Sequence, residues 1–339
     1  MGPGQVCEGM GIDVDTASDG MNEAGLGAHM FYLGEEDGTA YAEPSTTDDM
    51  NVNYMRLVRY ILDNFATVQE TVDALRQVRL TAGNLCFGEG RELGVHVAIE
   101  DATGDSAVIE HVGGEMQIYH GKNITVMTNE PAMNKQYELL KQFQPWGGDL
   151  VLPKNLPGSV ASENRFVRLK YYIDYAPKPK SEAMAIAIIK SLIASTNVPF
   201  GAPVSCHRRI AIFLPLLRLS QPLLSLSDSI KAGFTRHGGR ALLIAPISEV
   251  YYFGWLETPN IIWTDFSKIH KIGAFEERQP NLRLKPQYPK LVGDVVCEFK
   301  TEDGKAPAGC AQEAGKEKKR DKSPKTDKVL RGAVNVADK

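Results

Sequence analysis

The sequence predicts an α+β protein, with antiparallel strands and helices in separate stretches of the chain. Two periodicities carry this prediction. Apolar residues recur every three to four positions from Tyr54 to Phe65, as on one face of a helix, whereas apolar and polar residues alternate from Val95 to Ile99, as on a strand. Because strand-like and helix-like stretches follow one another as blocks along the chain, the pattern favours antiparallel sheets over alternating βαβ units.

The helical stretch divides into two short helices at Ala66–Thr67. Thr67 can cap the second helix, and Glu70 lies three residues later, where it can reach back to the start of the helix as in a capping box. The apolar stripe of this second helix consists of Val68, Val72, Leu75 and Val78.

Strands are predicted both before and after the main helical stretch. An apolar stretch at 26–33 predicts one or two early strands, and residues 95–119 predict an antiparallel meander turned at Thr103-Gly104 and Gly113-Gly114. A further strand is expected at Thr125–Thr128. Later, 250–253 and 261–263 predict a hairpin, with a last strand at 282–284.

Two or three more helices are expected between these strands. Asn134–Phe143 is predicted to be helical, and Ser162 is predicted to cap a helix that carries Phe166 and Leu169. Ser181–Ser195 is strongly apolar, which predicts a buried helix.

Composition excludes several functional classes. The 339 residues carry a formal charge of −4, which gives no reason to expect nucleic acid as a partner. No apolar run reaches the ~20 residues of a membrane span, and the start of the chain lacks a signal-peptide pattern. The five cysteines form no CxxC pair, so we expect neither a disulfide scaffold nor a structural zinc site.

Two stretches differ from the rest of the chain. Residues 203–246 are basic and rich in Leu, Ser and Pro, without a sustained period; they are interpreted as a translated intron or mis-joined gene segment, with a lineage-specific insertion as the alternative. Residues 299–339 form a Lys-rich, low-complexity tail that we expect to be disordered.

Five motifs in order resemble the choloylglycine hydrolase / penicillin V acylase family. They are DGMNEAGLG at 19–27, DNFATV at 63–68, VMTNEP at 126–131, NRFVR at 164–168, and the 250–253 strand with Thr258-Pro259-Asn260. The resemblance implies a four-layer αββα fold of N-terminal-nucleophile (Ntn) hydrolases over residues 14–202 and 247–290. It also implies cleavage of linear, non-peptide amides such as penicillin V or conjugated bile salts, with no cofactor.

The resemblance assigns roles to three residues. Asn129 matches the side-chain oxyanion donor, Arg165 matches an arginine near the nucleophile that favours a thiolate, and Tyr32 matches a substrate-orienting position. Taken from the residues alone, Asn129 is better explained as a turn-closing asparagine and Arg165 as an exposed helix arginine, and a core tyrosine is an equal alternative for Tyr32.

The family's nucleophile is the cysteine that begins the mature chain, and its α-amine acts as the base. Residues 1–13 form a divergent stub in which Cys7 lies only twelve residues before Asp19. We therefore expect an Ntn-like fold that is incomplete at the N-terminus, with no nucleophile and no turnover. The alternative interpretation is a non-catalytic homologue that binds amphipathic ligands. The compartment and homo-oligomer formation stay open.

A metal site is weighed and set aside. His96, Glu100, Glu110 and His111 are metal-ligand types, but the sequence explains them as solvated positions on two strands, so no metal is expected.

Overall fold

The computed structural model describes residues 17–33, 41, 50–81, 94–197, 240–245, 250–255, 260–271, 283–284, 291–300 and 310. Within these ranges the chain combines helices with two main sheets. The divergent stub 1–13, all of 203–239, and the tail beyond 300 except Cys310 lie outside the described residues.

A five-stranded antiparallel sheet forms the centre of the fold. Its strands are β1 Asp19–Met21, β2 Gly27–Tyr32, β5 Val95–Glu100, β6 Ser106–Val112 and β7 Glu115–His120, and they lie side by side in this order. The last three strands are the predicted meander, and Gly104, Gly113 and Gly114 have positive φ at its two turns.

One face of this sheet is covered by the two predicted helices, α1 Leu57–Asn64 and α2 Val68–Leu75. A small parallel pair, β3 Met50–Asn53 and β4 Val78–Thr81, flanks them. Buried apolar side chains from both layers form one core: Ala28, Met30, Leu57, Val58, Ile61, Val68, Val72, Leu75, Val97, Ile99, Ala107 and Ile109. Each larger side chain of this core contributes about 1.5–3 kcal/mol on burial, so the core is a main source of stability.

The junction between α1 and α2 has the predicted cap, with one difference. Thr67 Oγ1 accepts from the Glu70 backbone N–H at 3.2 Å. The Glu70 carboxylate accepts from Ala66 N, one residue before the cap. Asp101, in the β5–β6 turn, accepts from Val68 N at 2.9 Å and thereby ties the start of α2 to the sheet.

The opposite face of the sheet carries a second core, built with α3 Met133–Leu140 and α4 Ser162–Asp174. Its buried members are Val108, Val126, Met133, Leu140, Phe143, Phe166 and Val167. The strand predicted at Thr125–Thr128 is wrong, because residues 124–128 form irregular backbone. Ser162 also does not cap α4. It is the first helical residue, and Ala161 precedes it as the cap.

The helix predicted at 181–195 exists as α5 Glu182–Ala194, capped by Ser181, but its predicted burial is wrong. In the described part of the chain none of its residues is buried. The helix packs mainly against α4 and the strand at 240–245, so its apolar composition does not translate into a central position.

A second sheet includes the predicted hairpin of β9 Val250–Trp255 and β10 Ile261–Asp265. Its edge strand β8 Arg240–Ala245 pairs with β9 along six residues, although 240–245 fall inside the predicted anomalous insert 203–246. The end of that stretch therefore belongs to the sheet. At the other edge β12 Gly293–Asp294 pairs with β10, which is followed by α6 Phe266–Lys271.

The C-terminal part corrects two further predictions. β11 Arg283–Leu284, at the position of the predicted last strand, pairs with β13 Phe299–Lys300, so the tail boundary at 299 lies too early. Cys297 and Cys310 form a disulfide, which the absence of a regular cysteine spacing did not predict.

The two main sheets are joined by a buried contact. Tyr251 on β9 donates a hydrogen bond of 3.0 Å to Asp19 on β1. Asp19 pairs with His29, on the face of the central sheet opposite α1 and α2, so Tyr251 brings the second sheet to that face at this point. The complete four-layer arrangement and the missing N-terminal strands stay predictions. Among the described residues, no helix is long and apolar enough to cross a membrane.

Candidate active site

The three residues singled out from the sequence meet at one end of the five-stranded sheet. Asn129 Nδ2 donates to the backbone carbonyl of Tyr32, the last residue of β2, at 3.3 Å. Arg165 Nη2, from the first turns of α4, donates to Asn129 Oδ1 at 2.9 Å. Residues 97 and 36 positions apart along the chain are therefore brought into one hydrogen-bonded chain.

The two neighbours of the Asn129 side chain fix the orientation of its amide. A guanidinium can only donate, so it requires Oδ1, and a backbone carbonyl can only accept, so it requires the NH2 group. Both contacts select the same rotation. The NH2 group has two hydrogens and, among the described residues, gives one of them to Tyr32. The other hydrogen can be donated to a ligand oxygen.

Arg165 is a half-buried cation rather than the exposed helix arginine that the sequence left as an alternative. Burial lowers the pKa of its guanidinium, and the charge of Arg168 adds to this, while the carboxylates of Glu130 and Glu163 oppose it. Arginine stays protonated under physiological conditions even so. Its charge polarises the Asn129 amide, which strengthens the NH2 group as a donor.

The loop before α4 is shaped by the second arginine of the NRFVR motif. Arg168 Nη1 donates to the carbonyls of Pro157 and Ser159, each at 2.7 Å. Arg165 Nε donates to the Val160 carbonyl at 3.1 Å, in the same loop. Arg168 ends the NRFVR motif, but no role was predicted for it from the sequence. Two basic residues three positions apart lie on one helix face, and this spacing was the available signal.

Tyr32 contacts Asn129 through its main chain. Strand alternation places its side chain on the face of Ala28 and Met30, which belong to the core under α1 and α2, and it is half-buried. The substrate-orienting role of the Tyr32 ring therefore stays a prediction.

The explanation given for His96, Glu110 and His111 as solvated residues is wrong, because all three are buried. His96 Nδ1 lies 2.8 Å from Glu110 Oε1, and the Glu110 carboxylate also accepts from Met133 N, at the start of α3. Two adjacent strands and a helix N-terminus thus share one buried carboxylate. Within the described ranges, no group of three His, Cys, Asp or Glu residues could hold a metal ion.

A second polar cluster lies on the same face of the sheet. His29 is held between two carboxylates, with Nδ1 2.8 Å from Asp19 and Nε2 2.7 Å from Glu100, and Asp19 also accepts from Tyr251. Burial alone would lower the pKa of His29, but the charges of Asp19 and Glu100 outweigh burial and hold it well above its ordinary value. Burial raises the pKa of Asp19, against the lowering effect of His29.

A family model described as linear amide C–N hydrolases, choloylglycine hydrolase family, matches residues 5–211, more than half of the chain. The chain belongs to this family. It is 30% identical to a penicillin V acylase of Pectobacterium atrosepticum over 269 residues, which are 75% of this chain and 63% of that protein. The chain thus spans somewhat less than two thirds of that relative's length.

Two further comparisons agree with this membership of the choloylglycine hydrolase family. A bile salt hydrolase/transferase of Clostridium perfringens is 27% identical over 187 residues, which are 49% of this chain and 55% of the relative. The solved penicillin V acylase of Agrobacterium tumefaciens superimposes with a TM-score of 0.62 at 25% identity, over 85% of this chain and 78% of that one.

Proposed function

We propose that this member of the choloylglycine hydrolase family binds linear amides, with Asn129 donating its second N–H to the amide carbonyl. The observation that supports this most is the contact chain from Arg165 through Asn129 to Tyr32. It presents a polarised, correctly rotated donor in a half-buried position without any rearrangement, and preorganised donors of this kind stabilise the oxyanion of acyl transfer.

The activities of the relatives and the chemistry of the donor itself support this substrate class. An amide N–H is uncharged and suits a neutral carbonyl that becomes negative only as the reaction proceeds. Penicillin V and a glycine-conjugated bile salt both present such a carbonyl beside a bulky apolar group. Arg165 supports the site electrostatically. Tyr32 supports it through its main-chain carbonyl, which holds the Asn129 amide, and contact of its ring with the substrate stays a prediction from the sequence.

Replacing Asn129 by aspartate is the sharpest test of this proposal. The aspartate would keep the size of the side chain and its contact with Arg165, but it would lose the N–H donors and repel the carbonyl oxygen. We expect penicillin V affinity, measured by calorimetry on the 339-residue chain, to fall about five- to tenfold, as for a lost hydrogen bond of about 1–1.5 kcal/mol. Asn129→Ala should lose a similar amount.

Asn134→Asp is the matched control, since Asn134 is exposed on α3 and should leave affinity unchanged. Equal affinity of wild type and Asn129→Asp would contradict the proposal. Hydrolysis is followed in the same samples with and without a thiol alkylator. Alkylator-sensitive turnover that disappears in Cys7→Ser would overturn the expectation from the sequence that no nucleophile is present.

A further inference from the structure

The segment that carries Asn129 has no regular secondary structure of its own. Residues 124–132 lie between β7 and α3 without strand or helix hydrogen bonds, and the Glu130–Pro131 peptide bond is cis. A buried backbone outside helices and sheets needs other partners for its carbonyls. In this protein buried polar side chains from neighbouring elements supply them.

Gln136, on α3, makes most of these contacts and is 0% exposed. Its Nε2 donates to the Asn129 carbonyl at 3.0 Å and to the Pro131 carbonyl at 2.5 Å. Its Oε1 accepts from Thr128 Oγ1 at 3.2 Å. The nitrogen and the oxygen of one side-chain amide are thus both directed at residues 128–131.

The same segment is tied to the helix that carries Arg165. Ser162 Oγ donates to Thr128 Oγ1 at 3.1 Å, and Ser162 lies one turn before Arg165 on α4. The residue before Asn129 and the side chain of Asn129 are therefore both attached to α4, while the carbonyl of Asn129 is attached to α3.

We propose that Gln136 is a positioning residue that holds the main chain of Asn129, so that the Asn129 amide reaches Arg165 and Tyr32 together. The expected effect on ligand binding rests on the proposed function. The positioning of the Asn129 amide by Gln136 does not depend on it. Gln136 does not reach the ligand. It acts by fixing the point from which the Asn129 side chain extends. A role limited to satisfying two loop carbonyls would stabilise the protein without affecting the Asn129 amide.

Gln136→Met keeps the volume of the side chain and removes all three hydrogen bonds, so it separates the two roles. The direct readout is the pair of Nδ2 proton signals of Asn129 in protein labelled with ¹⁵N-asparagine, assigned by their loss in Asn129→Ala. We expect these signals to shift and broaden in Gln136→Met. Gln142→Met, at an exposed glutamine just after α3, is the control and should leave them unchanged.

The second readout is a double-mutant cycle on penicillin V affinity. Gln136→Met should weaken binding about tenfold when Asn129 is present and less than about twofold in Asn129→Ala, since coupled residues are not additive. Equal loss in both backgrounds would overturn the proposal, and so would unchanged Asn129 signals. If the wild-type protein does not bind penicillin V, the proposed function fails. The positioning role of Gln136 is then tested by the Asn129 signals alone.

A milder variant covers the case in which Gln136→Met does not fold. Thr128→Val removes only the hydroxyl that holds Gln136 Oε1 and the link to Ser162. It should shift the Asn129 signals in the same direction by a smaller amount. Unchanged signals in this variant would contradict the positioning role.

Discussion

Replacing Glu110 by methionine should destabilise the protein by about 2–5 kcal/mol, because two buried groups lose their hydrogen-bond partner, at about 1–3 kcal/mol each. Glu110 is 1% exposed and accepts from both His96 and the backbone N–H of Met133. The methionine would fill the volume but leave two buried donors without an acceptor. The free energy of unfolding in urea is the measurement.

A second variant at this position separates the loss of the carboxylate from the loss of hydrogen bonding, and a third variant elsewhere is the control. Glu110→Gln retains an acceptor for Met133 N, so it should cost only about 1 kcal/mol. Glu115→Met, at an exposed glutamate on β7, should stay within about 0.5 kcal/mol of wild type. If Glu110→Met were as mild as Glu115→Met, the buried carboxylate would not connect β5, β6 and α3 as described.

Replacing His29 by glutamine should produce a pH-dependent loss of stability. Near pH 6 the variant should be about 2–4 kcal/mol less stable, because Asp19 and Glu100 lose the cation between them. The pKa of His29 is raised in the folded state, so its contribution is fully present below its ordinary pKa of 6.5. This contribution to stability is lost as the pH rises through the folded-state pKa of His29. The stability difference between wild type and variant should therefore become smaller in that pH range.

Asp19 acts in the same direction at lower pH. Its folded pKa is also raised, so the folded state holds that proton more strongly than the unfolded state does, and this contribution is lost as the pH rises above its ordinary value of 3.8. His29→Gln also removes the lowering effect of His29 on the pKa of Asp19, so the difference in stability between wild type and this variant reports the coupled pair.

Urea unfolding of both proteins at a series of pH values measures this difference. His120→Gln is the control, since His120 pairs with Asp105 at the same 2.8 Å in a more exposed setting. It should cost about 1 kcal/mol or less at every pH. If the difference in unfolding free energy between wild type and His29→Gln stays constant or grows from about pH 6 to about pH 9, the assignment of a buried, charged histidine is contradicted.

Local patterns predicted the elements well where one face of an element meets one core. The stripe of α1 and the alternation of β5 both have a single packing surface, so period and burial coincide. The apolar composition of α5 misled because composition does not say which neighbour will cover a helix. The β8 strand was missed because the stretch before it is basic and rich in Pro, without a sustained period. Its partner β9 lies after residue 246, where the strand pattern resumes.

The sequence singled out the motif residues of the candidate site but not the residues that support them. Asn129 and Arg165 lie in recognisable motifs, whereas Gln136 is an ordinary helical glutamine until the fold buries it. The same holds for His96 and Glu110, whose alternation was interpreted as solvent exposure although both faces of the central sheet are covered. Burial of polar side chains depends on tertiary neighbours, and local periodicity does not contain them.

A crystal structure of the chain with bound penicillin V tests the role of Asn129 most directly. We predict the acyl carbonyl oxygen at about 3 Å from Asn129 Nδ2, with Arg165 still on Oδ1 and the Tyr32 carbonyl still accepting from the same amide. Penicillin V bound with its carbonyl away from Asn129, or an Asn129 amide rotated so that Oδ1 faces the ligand, would contradict the carbonyl-binding role.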